Sequence, residues 1–346
     1  VTYLLVAVVV LAVAAAIWGL RQRGFEWAIF WSTFRKLNLW WIAAAGALAF
    51  STYIGRAFRW RVLIQSMSAN PSLWNLFSAT AIGFTAIVLF GRPGEMVRPY
   101  LIAVKERLSF SSQVAAWLLE RIYDLLMALL IFGVALSHVR GSGVQVGPRI
   151  AWVLEVGGVA VGVVAAICLT VLVLLRLFNE RMRQRMMDGL AFLPQPYHSR
   201  VEGFVSAFTQ GVKSTHNQWD VIQILAWSVL EWLIIVGCYW CIFQASPDTA
   251  KFRVMDVLIF VGFVSFGAVV QIPGIGGGMQ LVSVVVLTEL FRFSLEVSSG
   301  LAVVLWVVTF VVVVPFGLAL AFHDGIQWRR LRHLEPVEGT DGGGAS

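Results

Sequence analysis

The sequence predicts an all-α, polytopic integral membrane protein, and three observations carry that prediction. Hydrophobic residues fill 59% of the 346 positions and charged residues only 13%, about half the ~25% charge of a soluble domain. Uncharged stretches recur at 1–20, 37–55, 62–91, 156–175, 257–288 and 297–323, where one helical crossing needs about 20 mostly apolar residues. Glycine and proline interrupt this pattern twice, at Gly91–Gly94 and at Pro273–Gly278. About seven to nine hydrophobic segments follow from that spacing, two of them broken or re-entrant, with amphipathic surface helices between.

In chain order, the first crossing covers about Tyr3–Leu20 and ends at Arg21 and Arg23. It is too long for a secretory signal and has neither a basic start nor a small-residue cleavage site, so it reads as a retained helix. Over 24–37, Trp27, Phe30, Trp31 and Phe34 fall at i, i+3, i+4 and i+7 opposite charged residues. That stripe predicts a helix lying in the membrane interface. A crossing over Leu39–Gly55 runs into Arg56, Arg59, Trp60 and Arg61, a cluster suited to the head-group layer. The segment 73–90 either crosses or dips in and returns. Further segments fall at about 112–137, 150–175, 221–243, 255–291 with its break, and 301–322.

The connection 176–220 is amphipathic, with a turn at Pro194–Pro196 joining two surface helices. It holds Arg176, Arg181, Arg183, Arg185, Arg200 and Lys213, and basic loops favour the cytoplasm. The basic end at Arg329, Arg330 and Arg332 belongs on the same side, and the Gly-rich tail over 334–346 is expected to be disordered. Residues 1–330 therefore form a single transmembrane domain. If 73–90 crosses, the N-terminus lies outside; if it is re-entrant, inside.

Several function classes are excluded at this stage. The net charge of +7 fits cytoplasmic loops and anionic head groups, and no basic stripe or nucleic-acid-binding motif is present. His138, His198, His216, His323 and His333 are scattered without metal-ligand spacing. Cys168, Cys238 and Cys241 lie in apolar runs and read as small filler. The glycines at 274–278 lack the flanking strand and Lys-Ser/Thr ending of a phosphate loop, and no serine-hydrolase elbow occurs. No cofactor or metal is expected.

Two features point to a site. Irregular backbone at membrane depth is tolerated only inside protein or along a watery cavity, and broken helices in both halves of a chain are a pointer to a transport site. That singles out the first break and Pro273, Gly274, Gly276, Gly277 and Gln280 at the second. Within one helix, Glu120, Arg121 and Asp124 lie roughly 12 to 18 Å deep at 1.5 Å per residue. Each buried charge costs at least ~2.5 kcal/mol unless it is partnered or wet. Glu120 and Asp124 share a face, Arg121 pairs with Asp124, and the net negative charge of this trio calls for another cation. Arg92 and Arg98 are the candidates, with Glu95 nearby. Glu231 and Glu289 are further membrane carboxylates whose partners the sequence leaves open.

The ordered motifs Arg56-x-x-Arg59-Trp60, Arg92-Pro-Gly94-Glu95-x-x-Arg98, Glu120-Arg121-x-x-Asp124 and Pro273-Gly274-x-Gly276 resemble the flippase-like transmembrane region of lysylphosphatidylglycerol synthases and its stand-alone relatives. The similarity covers about residues 1–330. It implies a cytoplasmic-membrane protein of a bacterium or archaeon that moves a phospholipid or lipid-linked head group between leaflets. The aminoacyl-transferase domain of the full synthases is absent, so aminoacyl transfer is not expected. This chain carries Gln280 where the family often has an acid, which bears on proton coupling. On this reading Arg92, Arg98 and Arg121 hold an anionic head group, while Glu95, Glu120 and Asp124 orient them. Two other classes remain: a membrane-embedded transferase using Glu120 or Asp124 as base, and a non-transporting scaffold for a partner synthase or glycosyltransferase.

Overall fold

The computed structural model describes residues 24–68, 70–143, 145–177, 184, 188, 195–212, 217–267, 271–272 and 276–325. The first crossing, Pro273, Gly274, most of the first surface helix and the tail lie outside the described residues. The helices are α1 (Trp27–Arg35), α2 (Leu39–Ile64), α3 (Leu73–Phe90), α4 (Val97–Glu106), α5 (Phe110–Gly141), α6 (Pro148–Leu177), α7 (Gln195–Val212), α8 (Gln218–Ala245), α9 (Val254–Gly267), α10 (Gly278–Glu289), α11 (Leu295–Thr309) and α12 (Val314–His323). Among the described residues five helical stretches are long and apolar enough to cross a membrane, or six if the bent pair α1–α2 is one span. Two shorter apolar helices, α9 and α10, accompany them. The chain is a multi-pass membrane protein.

Local chemistry fixes where these helices begin. The side chains of Asn38, Ser72, Ser109, Asn217 and Ser294 each accept a backbone N–H from the first turn of α2, α3, α5, α8 and α11, donors that otherwise have no partner at a helix start. A short 3₁₀ turn at Val311–Val313 separates α11 from α12, where Pro315 lacks the N–H to continue the ladder and crowds the preceding carbonyl. Between α1 and α2 the chain bends by 78°.

The segment 73–90 is the first arm of a hairpin. It turns back through a 3₁₀ helix at Arg92–Met96 and returns as α4. Asn75 Nδ2 donates to Glu106 Oε1 at 2.7 Å, and Lys105 Nζ donates to Ser78, so the two ends of the hairpin lie side by side. Gly94 seats the tip: a Cβ there would fall 2.4 Å from the Ala86 carbonyl. The apolar pair α9 and α10 forms a second hairpin. Its tip is closed by the two-residue pairing of Gln271–Ile272 with Gly276–Gly277, and at its base Phe252 and Phe291 stack with ring centroids 4.6 Å apart.

The hairpins enter from opposite ends of the bundle. The base of the first lies where α5 begins and α12 ends, since Lys105 also reaches Asp324. The base of the second lies where α6 begins: Glu289 Oε2 accepts the N–H groups of Arg149 and Ile150. Asn38 N–H donates to Ala245 O at 2.9 Å, which brings the start of α2 and the end of α8 together. One hydrophobic cluster gathers the later halves of α5 and α8 with α9, α10 and α11. The other gathers the end of α2, α3, α4 and the start of α5. Helix α7 lies along the start of α5, with Val205 buried and Phe208 against the second cluster.

Candidate functional site

Four helices converge on one buried ion-pair network. The i, i+3 and i, i+4 spacings of Arg56/Arg59, Glu120/Asp124 and Ser228/Glu231 put each pair on one helix face, and the bundle turns those faces toward each other. At its centre the Arg59 guanidinium, with no solvent exposure, meets Glu120 Oε1 and Asp124 Oδ1, each at 2.6 Å, and Glu231 Oε2 at 3.2 Å. Arg59 also donates to Ser228 Oγ at 3.1 Å. Arg98, brought in by the first hairpin, meets Glu120 Oε2 at 2.8 Å. Arg56 pairs with Glu231. Arg121 completes the set with Asp124 at 2.9 Å and Glu120 at 3.5 Å, its side chain 35% exposed.

Four guanidinium groups face three carboxylates, so the network carries one excess positive charge. Glu120 is shared by Arg59, Arg98 and Arg121, and the cost of burying each charge is offset by its neighbours. Yet the match is incomplete: Arg56 Nε and Nη1, and the Nε atoms of Arg59, Arg98 and Arg121, are buried without a hydrogen-bond partner, as are both Glu231 oxygens, which meet Arg56 and Arg59 only as ion pairs. Unmet guanidinium donors in a protein interior are suited to an anion with several acceptor oxygens. Among the described residues, no group of three or more His, Cys, Asp or Glu is placed to hold a metal ion.

Aromatic side chains set the arginines in place. The Arg98 guanidinium carbon lies 4.1 Å from the Trp60 ring centroid, and the Trp60 indole N–H donates to the buried Gln113 amide oxygen at 3.2 Å. Arg56 lies 4.6 Å over the ring of Phe84. Among the described residues, two cavities adjoin the network. A small one of about 20 Å³ is lined by Gly83, Phe84, Ile87, Glu95, Arg98, Trp117 and Arg121. A larger one of about 130 Å³ is lined mainly by apolar groups, among them Ala49, Tyr53, Ile235, Tyr239 and Phe310, with Arg56 and Phe84 at its wall.

The pairing required by the charges of α5 is present: Arg98 meets Glu120. Arg92 does not join the network; it is 47% exposed and pairs with Glu95 within the 3₁₀ turn. Glu95 lines the small cavity. The assignment of Arg56 and Arg59 to the head-group layer is corrected, because both side chains point into the bundle, where the carboxylates of α5 and α8 compensate them. Arg61 is partly exposed and forms no ion pair with a described residue. At the second break, Gln280 Oε1 accepts the Gly277 N–H at 2.7 Å and caps α10. Gly277 has φ +129°, a conformation essentially open only to glycine. Gly276 pairs with Ile272. Neither cavity described above is lined by Gly276, Gly277 or Gln280, and Pro273 and Gly274 lie outside the described residues.

Sequence reasoning left Glu231 without a partner and did not single out Ser228 or Gln113. The available signal was phase: Ser228 and Glu231 repeat the spacing of Arg56 and Arg59, though only the packing of α2 against α8 shows that the two faces meet. Glu289, also unassigned, caps α6 and pairs with Arg149 at 3.3 Å.

No curated protein and no solved structure matches the chain significantly. The family model described as the lysylphosphatidylglycerol synthase TM region matches residues 4–320, nearly the whole chain. The protein therefore belongs to the lysylphosphatidylglycerol synthase transmembrane-region family, a membrane lipid-related family.

Proposed function

We propose that this protein moves a phospholipid or lipid-linked molecule with an anionic phosphate head group between the leaflets of a bacterial or archaeal cytoplasmic membrane. The observation that carries this reading is the excess positive charge of the buried network, combined with unmet guanidinium donors on Arg56, Arg59, Arg98 and Arg121. A phosphate oxyanion would compete with Glu120 and Asp124 for the same forks. The carboxylates thereby limit the residence of the substrate, which a carrier requires and a tight binding protein does not. A hairpin that breaks inside the bundle, as the first does beside Arg98, is a feature on which many transporters build a midplane site. As read here, the protein binds and releases its substrate without breaking a covalent bond, and a partner synthase or glycosyltransferase supplies or consumes the lipid.

The test is reconstitution in vesicles with fluorescent phosphatidylglycerol or phosphatidylcholine, followed by reduction of the probe in the outer leaflet. Faster loss of protected phosphatidylglycerol than in protein-free vesicles, with phosphatidylcholine slower, is the expected result. Equal rates with and without protein, for both lipids and for a polyprenyl phosphate, would remove the reading.

A further inference from the structure

The small cavity, with three charged side chains in its wall, and the larger one, with a single charged side chain, share one lining residue. Phe84, about two thirds of the way along α3, lines both. On one side stand Glu95, Arg98 and Arg121. On the other stand Arg56, Thr52, Tyr53, Tyr239 and Thr309. The Phe84 ring is held by the Arg56 guanidinium 4.6 Å above it and by an edge contact to Tyr53 at 5.2 Å.

The sizes matter. A cavity of about 20 Å³ has room for a single water and not for a phosphate group. In the conformation described, the guanidiniums of Arg98 and Arg121 therefore face a chamber too small for the anion their chemistry suits. Its neighbour, at about 130 Å³, is several times larger but offers one cation, Arg56. Joining the two would give a single chamber with guanidinium groups at successive positions. Arg98 and Arg56 are already linked, Arg98 Nη2 donating to the Arg56 carbonyl at 3.4 Å. The unpartnered Nε and Nη1 donors of Arg56 offer a first position, reached from the larger cavity, to an anion that Arg98 then takes over. Backbone rearrangement next to Phe84 is restricted, because a Cβ on Gly83 would fall 2.6 Å from the Arg98 Cβ. Rotation of the Phe84 side chain is the local motion left.

We infer that the two cavities are the two ends of one head-group path and that Phe84, held by Arg56, is the partition between them. This inference rests on the lipid-transport reading for the identity of the cargo, but the connection itself is independent of cargo. An anion arriving at Arg56 draws its guanidinium off the ring and frees Phe84 to swing. Loading of Arg56 from the larger cavity thus opens the partition toward Arg98 and Arg121.

Cys238 lies in the wall of the larger cavity and is 2% exposed, which provides a native reporter. In protein carrying Cys168→Ala and Cys241→Ala, reconstituted in vesicles, the rate of Cys238 modification by the anionic reagent 2-sulfonatoethyl methanethiosulfonate measures aqueous access to that cavity. The wild-type Phe84 protein should react slowly. Phe84→Ala should react about tenfold faster, since the void left by the ring joins polar groups on both sides and can hydrate. If that variant does not purify as a folded species, Phe84→Val tests the same step with the same sign. A folded variant with an unchanged rate overturns the inference. Faster modification without movement of any lipid supports the partition and removes the transport reading, whereas lipid movement with unchanged modification does the reverse.

Discussion

The hairpin of α3 and α4 and the hairpin of α9 and α10 enter the bundle from opposite ends, yet only the first brings ionisable side chains to its middle. Its break carries Arg92, Glu95 and Arg98, and Arg98 is locked to Glu120 and stacked on Trp60. The second break is made of glycine and a capping glutamine, and α9 and α10 are otherwise packed into an apolar cluster. A broken helix in a membrane is thus of two kinds. One brings charged side chains to the network, and in the other the described residues pair with each other, Gln280 with the Gly277 N–H and Gly276 with Ile272. The charge network, and not the break itself, gathers the guanidinium groups on which the proposed anion site rests.

This contrast can be broken most severely at Glu120. Replacing it with Gln removes the carboxylate shared by Arg59, Arg98 and Arg121, and stripping one partner from a buried ion pair costs about 3 to 5 kcal/mol. The corresponding change in the second hairpin, Gln280→Met, forfeits the side-chain cap to the Gly277 N–H, worth about 1 kcal/mol. Thermal unfolding of both variants in detergent should therefore show a large loss for Glu120→Gln and a small one for Gln280→Met. Similar losses would mean that the two breaks are equivalent.

The tips should respond more evenly. Gly94→Ala drives a Cβ into the Ala86 backbone and should cost about 1 to 3 kcal/mol as overpacking. Gly277→Ala forces a side chain into a glycine-only conformation, with a cost of about 1 to 3 kcal/mol. The first should also displace Arg98 and depress lipid movement beyond its effect on stability. The second should change stability alone.

The smallest effect belongs to the base of the first hairpin, where Asp324 at the end of α12 accepts from Lys105 and from Ser78. Burial by itself raises the carboxyl pKa, but hydrogen bonding and attraction to Lys105 outweigh it and hold the group below the ordinary carboxylate value. A depressed folded-state pKa means the stabilisation is present above the unfolded value of about 4 and is lost as pH falls through the folded value. Asp324→Asn should cost about 0.2 to 1 kcal/mol at pH 7, and the difference from wild type should shrink in acid. A pH-independent difference would mean that Asp324 acts by packing and not by charge.

Much of this architecture was legible in the sequence because a bilayer restricts the options: apolar length gives segments, and glycine with proline gives breaks. The depth of Glu120, Arg121 and Asp124 was equally readable from their distance to the helix start. What periodicity could not give was facing. Arg56 and Arg59 look like interfacial cations along the chain because they close an apolar run, and only the packing of α2 against α5 and α8 turns them inward. The return of α3 as a hairpin was open for a related reason: its 18 residues reach about 27 Å at 1.5 Å per residue, nearly a full crossing. The contacts of Asn75 with Glu106 and of Gly94 with Ala86, which side-chain periodicity along the chain does not encode, decide it.

The central claim is that the buried guanidinium groups handle an anionic head group, and Arg98 tests it most directly. Glu120 has a second partner in Arg59, at 2.6 Å, so the fold should tolerate Arg98→Gln better than the loss of Glu120. With Arg98→Gln and Arg121→Gln reconstituted in vesicles, the account predicts that each variant inserts and purifies as a monodisperse species while leaflet exchange of phosphatidylglycerol falls to the protein-free rate. Exchange at the wild-type rate by both variants would contradict it and leave the network a structural element of the bundle.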